Sequence, residues 1–327
     1  RQFSGPSLSG LINGLINRIL AIKPVFNLAR RRARNMMIQR AESIGVPWQE
    51  QVRQLRSRRT ATDFAPDWEA DLAAIKNPTL NYPDYYVTSF HAYDEGNLGW
   101  LPALEVEVAA RAVHARIWPE AGAEGDTKLR QSYHAVLTAQ LPEPPQAIVD
   151  LGCGVGMSTL TLQETFPTAQ LTGVDLSPYF LAVAQYRTVH EPDSSRPAQP
   201  AEAQFSASVT WHHAAAEDTG LPSGDYDLVS ACLMFHELPQ SVATAIFREA
   251  HRLLRPGGHL AIMDMNPGSE VFAKMPPFVL TLLKSTEPYL DEYFALDFDQ
   301  ALVEAGFEPP TVTCNSPRHR TLVARRR

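Results

Sequence analysis

From residue 147 onward, short apolar runs alternate with stretches of helical periodicity. Strands are predicted near 147–151 ("AIVDL"), 169–175, 209–213, 227–232 and 258–264, with helices starting near Ser158, Pro178, Pro239 and Pro288. Alternation of this kind predicts an α/β domain, a parallel sheet with helices on both faces. The end, "EPPTVTCNSPRHRTLVARRR", reads as two further strands joined by a turn at Ser316 and Pro317, and the Pro/Ser/Ala-rich segment 190–208 as a surface insertion.

Ahead of this unit, helical patterning covers Leu101 to Trp118 and Thr127 to Leu141, and "LPEPPQ" then punctuates the chain. Near the start, Leu8, Leu11, Ile12, Leu15, Ile16, Ile19 and Leu20 recur at helical spacing, with Asn13, Asn17 and Arg18 opposite. This amphipathic stretch runs into a cluster of Arg30, Arg31, Arg32 and Arg34 beside Met36, Met37 and Ile38. Apolar stripe plus basic cluster suits an anionic membrane surface, reached through residues 8–40. The competing reading is a helix packed on the protein's own body or on a partner. Three segments result: a basic amphipathic arm over 1–60, an aromatic-rich lid over 61–126 and the α/β domain over 127–327.

Charge sharpens that division. Residues 1–60 hold 12 Lys/Arg against two acids, a charge of +10, which leaves −17 on the rest of a chain whose net charge is −7. An acidic body, and an arm without interleaved aromatics, argue against nucleic acid as a partner. Apolar residues make up 44% and charged residues 20%, ordinary for a globular protein, and no apolar run reaches membrane-spanning length. Cys153, Cys232 and Cys314 are odd in number and lack a CxxC pair, which argues against a disulfide framework or a zinc site. A reducing intracellular compartment is expected, cytoplasmic or organellar, with membrane association through the arm. The chain starts at Arg1 rather than Met, so an upstream segment removed or left out is also expected.

The chemistry concentrates in "AIVDLGCGVGMSTL", 147–160, a strand that ends in an acid and a G-x-G-x-G loop before a helix. Glycines let the backbone turn sharply and approach a ligand closely, and the helix that follows presents unpaired N–H groups. Such a loop at a strand's carboxyl end suits a nucleotide-like cofactor. The second strand, "LTGVDLSP", ends in Asp175, placed to accept hydrogen bonds from ribose hydroxyls.

With "AEDTGLPSGDYDLVSACLMFHEL" and "LLRPGGHLAIMD" added to VDLGCGVG and GVDLSP, the chain resembles the class I S-adenosylmethionine-dependent methyltransferases over roughly residues 128–327. It is most similar to the small-molecule branch that includes quinone-biosynthesis methyltransferases. The resemblance implies a Rossmann-like, mostly parallel sheet of seven strands, with S-adenosyl-L-methionine as cofactor. It implies that Asp150 with Gly152, Cys153, Gly154 and Gly156 holds the methionine end, that Asp175 holds the ribose, and that Leu176 lines the adenine pocket. Near the adenine the family often has an acid where this chain has Ala215, which points instead to Ala216 and Glu217.

The sulfonium already makes the methyl group electrophilic, so the protein has to align a nucleophile, exclude water and remove a proton where necessary. His236 and Glu237, directly after "SACLMF", are the candidates for proton transfer, and His212 and His213 read as structural. The aromatic block "NYPDYYVTSFHAYDEGNLGW" fits a lid over the substrate. Tyr82, Tyr85, Tyr86, His91 and Trp100 are its candidate substrate contacts, and Tyr93 a candidate contact to the cofactor. No metal is expected. "CLMFHEL" stands where nucleic-acid amino methyltransferases carry an Asn/Asp-Pro-Pro-aromatic motif. The expected activity is methyl transfer to a small, lipophilic acceptor; a non-catalytic binding protein of the same fold and a protein methyltransferase are the alternatives.

Overall fold

The computed structural model describes residues 23–88, 93–190 and 209–327. The stripe Leu8 to Leu20, His91 and the insertion beyond His190 lie outside the described residues.

Seven strands form one sheet: β1 (Ala147–Leu151), β2 (Gln170–Asp175), β3 (Val209–His213), β4 (Tyr226–Cys232), β5 (Leu254–Met265), β6 (Thr311–Thr313) and β7 (His319–Arg325), in the order β3-β2-β1-β4-β5-β7-β6. The first five run parallel, and β7 is antiparallel to both β5 and β6. Side chains alternate between the two faces of a strand. Val149, Leu151, Val229 and Ala231 therefore enter one core with Phe235, Ile246 and Phe247, while Ile148, Leu228 and Ala261 enter the other with Leu129, Tyr133 and Leu162. Burial on both faces explains why these strands read as near-continuous apolar runs.

Strand order reverses between β1 and β4, and a crevice opens at their carboxyl ends, where open α/β sheets receive ligands.

The segment ahead of the sheet is helical: Lys23–Ser43, Trp48–Ser57, Asp67–Ile75 and Trp100–His114. Met37 and Ile38 pack with Ala41, Val46, Trp48, Val108 and Ala112, so the apolar side chains beside the arginine cluster face the protein's own body. Arg31, Arg32 and Met36 are exposed. The helix predicted to run to Trp118 stops at His114, whose carbonyl sits where a side chain at position 125 would go; Gly125 there opens the next helix, Gly125–Gln140. The helix predicted near Pro288 is instead three, Pro277–Thr286, Leu290–Ala295 and Phe298–Glu304, because Pro288 falls between the first two and the Asp297 side chain caps the third by accepting from the Gln300 N–H at 3.0 Å. Among the described residues no helix is long and apolar enough to cross a membrane.

Candidate active site

Gly152, Gly154 and Gly156 have φ of +65°, +54° and +84°, a region that favours glycine. Position 156 is doubly restricted, since a Cβ there would lie 2.6 Å from the Trp211 ring, whereas at Gly154 the space is open except for Phe180 at 3.9 Å. The backbone at Gly154 is thus open to close approach. Asp175, at the end of β2, fixes the loop from the side: its Oδ2 accepts from the Gly154 N–H at 2.8 Å and its Oδ1 from the Ser177 N–H at 2.8 Å. A carboxylate accepts about four hydrogen bonds, so capacity for a diol remains. Burial raises the Asp175 pKa to about 6, against the pull of the two backbone donors.

Asp150 is not among the residues that line the adjoining cavity. It is fully buried beneath the loop, and its Oδ2 accepts from the Ser158 hydroxyl at 2.6 Å and the Thr159 hydroxyl at 2.7 Å. Its Oδ1 has no hydrogen-bond partner among the described residues, and burial raises its pKa. The carboxylate braces the start of the helix Met157–Thr165 and keeps one acceptor unused. The Cys153 and Cys232 thiols are both buried, and burial pushes Cys232 up to about 12, so both remain thiols.

A cavity of about 590 Å³ joins these elements. Its walls include Gly152, Cys153, Gly154, Asp175, Leu176 and Ala216 on the loop side and Tyr85, Tyr86 and Tyr93 from the lid. The Tyr86 hydroxyl reaches Asp175 Oδ1 at 3.5 Å, and the Tyr85 hydroxyl donates to both oxygens of Glu217, at 2.7 and 2.9 Å. Glu217 is thereby turned to the lid and does not line the cavity. Tyr82 and Trp100 do not line it either. Tyr82 stacks beside Tyr86 and meets His213, whereas Trp100 packs among Phe64, Trp68 and Tyr179 and donates to Glu69 at 2.9 Å. His213 holds the lid's approach, accepting from the Asn77 N–H at 2.8 Å, and lies 3.0 Å from the Leu176 carbonyl, and His212 bonds the Thr219 carbonyl at 2.7 Å.

His236 and Glu237 lie in a 3₁₀ turn, Phe235–Glu237, after β4, and both line the cavity. His236 Nδ1 is 2.7 Å from Asp264 Oδ1 at the end of β5, and its backbone N–H points to Asp264 Oδ2 at 3.3 Å. This leaves Nε2 on the side of Glu237, 4.0 Å from its Oε1. Burial alone would depress the imidazole, but Asp264, with Glu237 and Glu287 beyond it, outweighs burial and raises His236 to about 10. The raised value makes His236 an imidazolium at neutral pH.

Sequence reasoning missed Asp264 and Glu105. An acid inside the apolar run "LAIMDM" was the available signal for the first. Glu105 is buried in the helix Trp100–His114 and accepts from Arg34 and, at 2.7 Å, from Tyr93, which ties the arm and the lid to one carboxylate. Among the described residues no cluster of metal-ligating side chains occurs.

Residues 149–262 match a family described as a methyltransferase domain. The sequence is 29% identical to an uncharacterised methyltransferase of Synechocystis over 166 residues, 50% of this chain and 68% of that one. It is 33% identical over 116 residues to malonyl-[acyl-carrier protein] O-methyltransferase of Hahella chejuensis, covering 36% of this chain and 35% of that protein. Over 74 residues it is 47% identical to trans-aconitate 2-methyltransferase of Yersinia pestis, covering 20% of this chain and 29% of that protein. The chain thus matches about a third or less of those two relatives. Among solved structures, the CurJ carbon methyltransferase shares the fold, with a TM-score of 0.50 at 14% identity over 88% of this chain and 70% of that one.

Proposed function

This chain carries a class I S-adenosylmethionine-dependent methyltransferase domain, and on that premise we propose that it methylates a small organic acceptor seated between His236 and the lid tyrosines. The observation that carries the reading is the single cavity that runs from Asp175 and the glycine loop to His236. When bound, S-adenosylmethionine supplies a methyl group made electrophilic by its sulfonium. Asp175 would accept from the ribose hydroxyls with its remaining lone pairs, Leu176 and Ala216 would flank the base, and the bare backbone at Gly152 and Gly154 would allow close approach of the methionine end. Tyr85, anchored on Glu217, and Tyr86, beside Asp175, cover the cofactor and exclude water.

His236 is held by Asp264 through Nδ1 and offers Nε2 to the acceptor. Being an imidazolium at neutral pH, it donates a hydrogen bond to a negatively charged acceptor atom and aligns it, rather than stripping a proton from a neutral one. Glu237 beside it is the group placed to take up a proton. Small acids and acyl groups are the acceptors named for two of the relatives, which supports an acceptor of that size.

The proposal is tested by incubating the full chain with methyl-deuterated S-adenosylmethionine and a metabolite extract, and scanning by mass spectrometry for labelled products. A labelled small molecule that disappears with His236→Gln supports the reading. Cofactor binding without any labelled product would favour the binding-protein alternative. Membrane recruitment through residues 8–40 is a separate proposal, supported by the exposed Arg31, Arg32 and Met36. It requires sedimentation with anionic vesicles that weakens in R31Q/R32Q.

A further inference from the structure

Four arginines line the cavity, and they divide into two kinds. Arg34 is paired with Glu105, and Arg130 with Asp126 at 2.9 Å. Arg116 and Arg318 have no carboxylate partner among the described residues. Arg318 belongs to the turn before β7 and is held rigidly, its backbone N–H 3.3 Å from the Ser316 hydroxyl and its carbonyl accepting from the Asn266 N–H at 2.8 Å. Its guanidinium spends Nη2 on the Val113 carbonyl at 3.0 Å, while its Nε is buried with no hydrogen-bond partner among the described residues.

The surroundings make this unusual. Burial and the charges of Arg116 and Arg40 all push the Arg318 pKa down, so three guanidiniums repel one another where a neutralising acid would be expected. Arg116 is exposed at the rim and Arg318 half-buried behind it, and with no carboxylate opposite either of them among the described residues the pair is open to an anion from the cavity. Burial pushes the His319 pKa well down, and His114, Arg318 and His236 add to it, so His319 is within electrostatic reach of both Arg318 and His236. Much of the remaining wall, with Met265, Phe272, Met275, Val279 and Leu283, is apolar, and Thr286, Glu287 and Glu237 are among its polar members.

We infer that Arg116 and Arg318 form an oxyanion subsite for the methyl acceptor, so that the acceptor is an amphiphile with an apolar body and a carboxylate or phosphate placed away from the atom that receives the methyl group. This rests on the methyltransferase reading of the same cavity. The guanidinium forks suit either oxyanion.

The test is calorimetric titration of the full chain with octanoate, octyl phosphate and 1-octanol, three probes with the same apolar tail. At least one anion binds about ten-fold or more tighter than the alcohol, the scale of one or two hydrogen bonds to a charged group. Arg116→Gln, on an exposed side chain that folding does not need, removes most of that difference, and Arg318→Gln does the same. S-adenosylhomocysteine affinity stays unchanged in both variants. Equal binding of all three probes, or an anion preference that survives both substitutions, would overturn the subsite. Failure of the wild-type protein to bind S-adenosylhomocysteine would instead overturn the methyltransferase reading. Preference for octanoate over octyl phosphate, or the reverse, identifies the oxyanion.

Discussion

Replacing Asp264 by Asn keeps the shape of the end of β5 but removes the charge that keeps His236 protonated. His236 lies about 10 in the folded protein against an ordinary 6.5. At about 1.36 kcal/mol per unit, that difference corresponds to about 5 kcal/mol between the two protonation states. Both partners are buried, and breaking such a pair from one side typically costs about 3–5 kcal/mol. The sign follows from a folded pKa raised above the unfolded one. The stabilisation is fully present below about 6.5 and is lost as pH rises through about 10. In Asp264→Asn, burial prevails and the imidazole becomes neutral at physiological pH. Denaturant unfolding should therefore show a gap of about 3–5 kcal/mol between wild type and variant in mild acid, closing steadily toward pH 10. Nitrogen-15 spectra of the ring, assigned with His236→Gln, should show an imidazolium through neutral pH in the wild type only. A wild-type imidazole titrating in the ordinary range, or a stability gap that does not change with pH, would refute the reasoning.

Other consequences follow from single contacts. Gly156→Ala combines a φ of +84° with a Cβ 2.6 Å from Trp211, so a loss of about 2–4 kcal/mol is expected by thermal unfolding. Tyr85→Phe removes the buried donor to Glu217 and should cost about 1–3 kcal/mol, with faster amide exchange across residues 82–88 than in the wild type. Asp175 is raised to about 6, so if it receives the ribose as proposed, its protonation below that pH removes the accepting charge, and S-adenosylhomocysteine affinity measured by calorimetry should fall as pH drops through about 6. The same shift has the opposite effect on folding, since an acid with a raised folded pKa favours the folded protein increasingly as pH falls from about 6 toward 3.8. Glu105→Gln leaves the buried end of Arg34 without its counter-charge, and a loss of about 2–4 kcal/mol is expected, with freer proteolysis of the arm.

The sheet was legible because its strands are buried on both faces and so announce themselves as apolar runs with acids at their carboxyl ends. The shape of the glycine loop and its bond to Asp175 were legible for a similar reason, being local in sequence: the loop follows β1 directly, and Asp175 lies at the end of the neighbouring strand β2. Asp264, Arg116 and Arg318 were not, because their meaning depends on pairing across the fold. Only when β4 and β5 lie side by side does Asp264 reach His236, and only the final hairpin brings Arg318 to Arg116. The aromatic block was half legible. Spacing alone does not separate Tyr85 and Tyr86, which face the cavity, from Trp100, which packs away from it on the buried Trp68. Likewise the arginine cluster read as a surface for membranes, yet one of its members, Arg34, is drawn inward by the buried Glu105.

The central claim is that the crevice at the ends of β1 and β2 holds S-adenosylmethionine through Asp175. Calorimetric titration with S-adenosylhomocysteine, of the wild type and of Asp175→Ala checked for native circular dichroism, tests it most directly. Loss of two hydrogen bonds to a charged acceptor, at about 1.5–3 kcal/mol each, should weaken binding at least about ten-fold. Undiminished affinity in a folded Asp175→Ala protein, or no binding by the wild type, would contradict the account.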